Sequence, residues 1–220
     1  MTKKSLRQAI VDAARALNVL GLNQGTSGNV SVRHGRAMLI TPSATPYERM
    51  RADDIAEMRL GDDDGAWKGP LRPSTEWRFH RDILRARPEF NAVVHAHPAF
   101  CTALAVARRP IPACHYMIAA FGGTDVRCAP YATFGTAALS EHALAALEAR
   151  SACLLANHGM IACGESLDKA LWRAVELETI AQQYYHSLLI GGPVLLSDED
   201  IAATAEKFGT YGLRPAKATR

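Results

Sequence analysis

The segment Val93–Pro98 reads V-V-H-A-H-P, so His95 and His97 stand two residues apart at the end of an apolar run. In an extended strand, residues two apart project to the same side, and both imidazoles would reach one place. Such a pair can clamp a metal ion, yet the same short pattern is more often two solvated or core-edge histidines. A third ligand is needed. His158 ends the apolar stretch A-C-L-L-A-N-H and is followed by Gly159. Strand ends are where α/β proteins tend to carry functional side chains, although alone this residue reads as a strand's exposed cap. Three neutral imidazoles together make a catalytic zinc set with a coordination position left open. Glu76, in P-S-T-E-W-R-F-H, stands at a predicted helix start, where the dipole favours a carboxylate in any case. Facing a divalent cation instead, it could be a fourth ligand and a proton shuttle.

Three further clusters have the chemistry of anion donors: Thr26-Ser-Gly28-Asn29, Ser43 with Ala44, and Ser74-Thr75. Small residues expose backbone amides, and helix N-termini attract phosphate. Each cluster alone is explained as well by a turn or a cap. They form a site only if the fold brings them together.

The elements that must position these groups are legible from periodicity. Ser5–Leu20 carries Leu6, Ile10, Val11, Ala14 and Leu17 on one helical face, with Ser5 and Gln8 spaced as a capping box and Gly21 as a stop. V-S-V-R and M-L-I-T flank His34-Gly35-Arg36 as a β-hairpin. The Gly-, Asp- and Pro-rich stretch from Asp62 to Pro73 predicts irregular chain, and a helix starts near Thr75 and stops before Pro88. Asn91–His97 reads as a buried strand with the histidines at its end, followed by a helix through P-A-F-C-T-A-L-A-V-A. A helix from about Ala137 to Arg150, a strand ending at His158, a long helix from Leu167 to Ile190, and a last helix capped by Ser197 and Asp200 and ending at Gly209 complete the pattern. No repeat or linker divides the chain, so residues 1–220 are expected to form one mixed α/β domain, with 209–220 a tail that frays or docks on a partner subunit.

Composition narrows the classes. The 220 residues are 48% hydrophobic and 21% charged, which excludes disordered and collagen-like chains and allows a core without disulfide staples. No apolar run approaches the length of a membrane span. The five cysteines include no C-x-x-C pair, so neither a disulfide framework nor a thiolate zinc site is expected, and with no export signal the cytoplasm is the expected address. A net charge of +3, with no basic stripe, predicts no nucleic-acid partner.

On these residues the chain resembles the class II aldolase/adducin family. G-L-N-Q-G-T-S-G-N-V-S-V-R, P-S-T-E-W-R-F-H, N-A-V-V-H-A-H, I-P-A-C-H-Y-M-I-A-A, C-A-P-Y-A-T-F-G-T, N-H-G-M-I-A-C and K-F-G-T-Y-G-L-R occur in the family's order and span nearly the whole chain. The resemblance implies a three-layer αβα fold around a mainly antiparallel sheet, assembled as a homotetramer with active sites at subunit interfaces. It implies that His95, His97 and His158 bind one divalent metal ion, zinc foremost with manganese or cobalt as alternatives, and that Glu76 is its fourth contact and the acid/base. Gly28, Asn29, Ser43, Ala44, Ser74 and Thr75 fall at the substrate's phosphate, and Thr26, from the first donor cluster, is expected to bind substrate beside them. Tyr116, Phe134 and Tyr211 fall at the aldehyde side, Tyr211 reaching a neighbouring subunit. The implied reaction is reversible cleavage of a ketose 1-phosphate, L-fuculose 1-phosphate or a relative, to dihydroxyacetone phosphate and a short aldehyde.

One position departs from the pattern. The loop T-P-S-A-T-P has Ala44 where the family more often has glycine. If that position needs a positive φ, the β-carbon costs energy or shifts the phosphate, which opens the way to a different sugar phosphate. The nearest rivals are other activities of the family: pentulose-phosphate 4-epimerase, sugar-acid phosphate decarboxylase and thioribulose-phosphate dehydratase. The Glu76 segment and the C-terminal T-Y-G favour the aldolase. The intact histidine and glutamate set argues against a non-catalytic adducin-like interaction module.

Overall fold

The computed structural model describes residues 2–208; Tyr211 and the 209–220 tail lie outside them. The first helix, α1 (Lys3–Val19), buries Ile10, Val11, Ala14 and Leu17 as the periodicity requires. Its cap differs from the expected one. The Thr2 hydroxyl accepts the Ser5 N–H at 3.2 Å, and Gln8 donates to Asp12 instead of reaching back, so the Ser5/Gln8 capping box does not form.

The hairpin β1 (Asn29–His34) and β2 (Ala37–Ile40) follows, then β3 (Ala56–Arg59) and the two-residue edge strand β4 (Trp67–Lys68) inside the stretch expected to be irregular. Helix α2 runs Trp77–Ala86, two residues later than expected, because Glu76 takes the N-cap position. Then come β5 (Ala92–Ala96), α3 (Ala99–Val106), a 3₁₀ segment (Tyr116–Phe121), β6 (Cys128–Ala129), α4 (Ala137–Ala146), β7 (Ala152–Leu155), β8 (Gly159–Gly164), α5 (Leu167–Leu189) and α6 (Asp198–Phe208). Helix α4 stops short of Arg150 because Ala149 takes a left-handed backbone (φ 54°).

The eight strands form one sheet in the order β4-β3-β2-β1-β5-β8-β7-β6, antiparallel except between β6 and β7. Apolar side chains fill both faces. One core joins the buried faces of α1, α3 and α5 to Val30, Val32, Ala92, Val94 and Ala96, and the other joins those of α2 and α4 to Met38, Ile40, Val93, Cys153 and Ile161. Helices therefore cover the sheet on both sides, the αβα sandwich that the family resemblance implied. All five cysteines are free thiols, and no helix among the described residues is long and apolar enough to cross a membrane.

Candidate active site

The site grows from the alternation of β1 and β5. Val30, Val32, Ala92, Val94 and Ala96 point to the α1/α3/α5 core, so their neighbours Asn29, Ser31 and His95 point to the opposite face, beneath α2. Asn29 and His95 are direct partners in the β1–β5 register. From α2's first turn come Glu76 and His80, four residues apart and on one helix face. His97 lies one residue past β5, its N–H donating to Asn23 Oδ1 at 3.2 Å. His158 sits in the turn joining β7 to β8, where Asn157 takes a left-handed backbone (φ 55°) that asparagine tolerates better than most residues.

Two glycines permit this approach. A Cβ on Gly28 would lie 2.7 Å from the His95 carbonyl oxygen, and one on Gly159 would lie 2.5 Å from both the Ala96 carbonyl oxygen and His97 Cδ2. The first lets the loop before β1 press against the end of β5. The second lets β8 run under His97.

The three expected histidines converge. Their ring centroids are 4.8 Å (His95–His97), 4.8 Å (His95–His158) and 4.9 Å (His97–His158) apart, and their ligating nitrogens lie within 4.8 Å of one another. His95 Nδ1 is 2.9 Å from the Met160 carbonyl oxygen, which can only accept, so Nδ1 carries the proton and Nε2 turns a lone pair to the cluster. The Nε2 atoms of His95 and His97 are 2.9 Å apart. Glu76 completes the group: Oε2 lies 3.2 Å from His95 Nε2 and accepts from Asn29 Nδ2 at 2.9 Å, and Oε1 lies 3.3 Å from His158 Nε2.

Burial pushes His97 down to about 3 and His158 down to about 4, each helped by neighbouring imidazoles, so both are neutral with free lone pairs near pH 7. Burial would raise the Glu76 carboxyl, but positive charge in the imidazole cluster, at His95 and then His158, together with the Asn29 hydrogen bond, outweighs it and holds Glu76 well below the usual carboxylate range. The pocket thus gathers imidazole lone pairs and a carboxylate whose buried Oε1 has no hydrogen-bond donor. A single proton on one ring serves one or two of these acceptors. A divalent cation serves all of them, and the three-nitrogen, one-oxygen set suits a catalytic site. The residues present therefore fit a metal ion.

Beside the histidines opens a cavity of about 370 Å³, lined by Ser27, Thr75, Glu76, His97, Tyr131, Ala132, Phe134, Asn157 and His158. A second, of about 410 Å³, is lined by Ser43, Arg72, Thr75 and Trp77 among others. Thr75 belongs to both, Ser27 lines the first and Ser43 the second, so all three predicted donor clusters meet at these adjoining cavities. Ala44, exposed in the same loop as Ser43, has φ 51°, the left-handed conformation for which glycine is suited. The remaining predicted residues divide. Asn29 is buried on Glu76, buried Ser74 Oγ accepts the Glu76 N–H at 3.3 Å, buried Gly28 lies under His95, and Thr26 is exposed on the preceding loop. Tyr116 is half exposed in a different cleft, with Trp172 and Phe208, and does not line the histidine cavity within one copy of the chain.

Sequence reasoning missed Tyr131 and Asn157 in the cavity wall, and His80 beneath Glu76. The spacing of Glu76 and His80, four residues apart on one helix, was the available signal for the last.

Comparisons with known proteins give the chain a family. Residues 8–185 match the family model described as class II aldolase and adducin N-terminal domain. The chain is 53% identical over 208 residues to a 5-methylthioribulose-1-phosphate/5-deoxyribulose-1-phosphate aldolase of Rhodospirillum rubrum, covering 94% of this chain and 93% of the relative. It is 52% identical over 215 residues to the L-fuculose phosphate aldolase of Escherichia coli strain K12, covering 97% and 99%. A solved L-fuculose 1-phosphate aldolase superposes with a TM-score of 0.89 at 38% identity, covering 93% of this chain and 96% of that one. Fold, histidine cluster and full-length similarity agree: the chain belongs to the class II aldolase and adducin family, whose aldolases are metal-dependent lyases acting on small sugar phosphates.

Proposed function

We propose that this chain is a metal-dependent aldolase that reversibly cleaves a ketose 1-phosphate to dihydroxyacetone phosphate and a short aldehyde, working as a homotetramer. The observation that carries the reading is the meeting of His95, His97, His158 and Glu76 at the floor of a cavity that also holds Thr75 and Phe134. His95, His97 and His158 hold the ion, with Glu76 as a further contact; zinc suits this set best, with manganese and cobalt as alternatives. When bound, the ion supplies Lewis-acid stabilisation of the negative charge that develops beside the ketose carbonyl.

The chain's own residues handle position and protons. The backbone and hydroxyls around Ser43, Ala44, Ser74 and Thr75, with the Thr26–Asn29 loop, take the phosphate, aided by the α2 N-terminus. Cleavage breaks the carbon–carbon bond between the ketose's third and fourth carbons. In the bond-forming direction the Glu76 carboxylate takes a proton from the three-carbon fragment's hydroxymethyl carbon, the electron pair left there makes the carbon–carbon bond, and the aldehyde oxygen takes a proton to become the hydroxyl. Cleavage is the reverse, with Glu76 returning its proton to that carbon. Glu76 Oε1 suits this transfer because Oε2 is already tied to Asn29. Phe134 and Tyr131 flank the opening and favour an aldehyde with a short apolar end. Tyr116 and Tyr211 serve a neighbouring subunit's site, Tyr211 giving its phenol proton to the aldehyde oxygen in bond formation and taking it back in cleavage, which is consistent with Tyr116 lying outside the histidine cavity of its own chain.

Two relatives of nearly equal similarity act on different sugars by name, and both sugars would release the same three-carbon fragment with different aldehydes. The test is therefore carbon-bond formation from dihydroxyacetone phosphate with a panel of aldehydes, including lactaldehyde and 2-(methylthio)acetaldehyde. Formation of a ketose 1-phosphate with at least one, abolished by a chelator and restored by zinc, manganese or cobalt, is expected. No bond formation with any aldehyde in metal-loaded protein sinks the reading in favour of another activity of the family.

A further inference from the structure

Behind Glu76 runs a line of buried polar side chains, of which His80 and Ser31 take no part in the chemistry above. His80 and Ser31 are both fully buried, and Asn29 is 4% exposed. Ser31 Oγ lies 2.7 Å from His80 Nδ1, His80 Nε2 lies 2.5 Å from Asn29 Oδ1, and Asn29 Nδ2 lies 2.9 Å from Glu76 Oε2. Donor and acceptor chemistry fixes the direction of every link. The Glu76 carboxylate can only accept, so Asn29 must present its NH₂ to it and its carbonyl oxygen to His80. That oxygen can only accept, so His80 Nε2 carries the proton and Nδ1 takes the Ser31 hydroxyl hydrogen. Burial pushes His80 down to about 3, so the ring is neutral at working pH and one tautomer satisfies both neighbours.

We propose that His80, through Asn29, is a positioning residue that fixes Glu76 Oε2 on the Asn29 amide and leaves Oε1 turned to His158 and the cavity. The inference rests on the aldolase reading for its kinetic consequence, but its hydrogen-bond direction stands independently. Without the His80 Nε2–H, the Asn29 amide could turn over and set its oxygen against the Glu76 carboxylate. The His80 Nε2–H holds that oxygen, so Asn29 Nδ2 stays on Oε2 and Oε1 keeps facing His158 and the cavity. The i,i+4 spacing of Glu76 and His80 keeps both ends of the link on one rigid helix turn.

The test combines spectroscopy and kinetics on metal-loaded full-length protein. Nitrogen-15 NMR of the imidazoles is expected to show His80 as the neutral Nε2–H tautomer from pH 5 to 9. The imidazolium or the Nδ1–H tautomer in that range overturns the proposal, whatever the enzyme's activity proves to be. His80→Phe, which removes the donor, is expected to keep bound metal and KM for dihydroxyacetone phosphate, and to lower kcat about 10–100-fold, the usual effect of losing an outer-shell partner. His80→Gln, which returns a side-chain N–H, is expected to recover most of that loss. Wild-type kcat in His80→Phe, or loss of metal and fold in step with kcat in both variants, reduces His80 to a packing residue. If the wild type forms no carbon bond while the NMR result holds, the aldolase reading fails and the hydrogen-bond line remains.

Discussion

Gly159→Ala isolates the closest approach in the site. Gly159 is not in a left-handed conformation, so alanine meets no backbone strain there, and the whole effect is steric. The added Cβ would stand 2.5 Å from the Ala96 carbonyl oxygen and 2.5 Å from His97 Cδ2, where ordinary contact begins at 3.4 Å, a shortfall of about 0.9 Å on each side. The carbonyl belongs to β5, which is hydrogen-bonded to both β1 and β8 and cannot retreat. The imidazole is the softer partner and must swing. Metal sites tolerate displacements of only about 0.2 Å in a ligand distance, so the swing takes His97 Nε2 out of register with His95 and His158. Overpacking of this kind costs about 1–3 kcal/mol; if the cost falls on the metal-bound state, zinc binds roughly 5- to 150-fold more weakly, at 1.4 kcal/mol per factor of ten. Competition with a chromophoric chelator measures the affinity, and circular dichroism checks that the sheet survives. Zinc affinity within twofold of wild type in a folded variant refutes the claim that His97 is held by this contact.

Further outcomes follow from other positions. Ala44→Gly relieves a left-handed alanine that costs about 1–2 kcal/mol, partly offset by glycine's extra unfolded-state entropy, so denaturant unfolding should show a gain of up to about 1 kcal/mol; a loss of stability contradicts the strain. In the metal-free protein, His80, His97 and His158 have folded-state values pushed below the roughly 6.5 of the unfolded chain, to about 3, 3 and 4. Below pH 6.5 the unfolded chain takes up protons that the folded one refuses. Their contribution is therefore complete above about pH 6.5 and falls as the pH drops towards 3, by up to about 1.4 kcal/mol per pH unit for the fully buried His80. His80→Gln should flatten part of that slope in urea titrations across pH 4–7, and an unchanged slope argues against a neutral buried His80. Removing the metal with a chelator should lower the melting temperature, because the ion binds only the folded cluster. At a free concentration 100 times its Kd, the ion adds about 2.7 kcal/mol. An unchanged melting temperature between zinc-loaded and stripped protein tells against the site.

Much of this arrangement is written in local sequence, and the exceptions have definite causes. The strand carrying His95 was legible because Ala92–Ala96 is a continuous buried run, and α1 and α5 were legible from long apolar faces. Strand β8 was hidden because G-M-I-A-C-G follows His158 directly, and only a three-residue turn separates it from β7. β4 is a two-residue edge held by pairing with β3, a tertiary contact that no local pattern announces. The metal-ligating residue types and their strand-end positions marked the histidines in advance. The buried line from Ser31 to Glu76 was not readable, because it depends on β1 and β5 turning the same face towards α2, a matter of register across three separate segments. Ala44 is the reverse case: the sequence raised the question of a positive φ, and the backbone answers it.

The central claim, a metal-assisted aldolase site with Glu76 as its proton carrier, can be tested without knowing the aldehyde. Metal-loaded protein is mixed with dihydroxyacetone phosphate in heavy water, and exchange of hydrogen on the hydroxymethyl carbon beside the carbonyl is followed by proton NMR. The account predicts loss of one of the two hydrogens in wild type. It predicts no loss after chelation, and a rate lowered by roughly 10²–10⁴ in Glu76→Gln that still binds zinc. No exchange in loaded wild type, or full-rate exchange in Glu76→Gln, contradicts it.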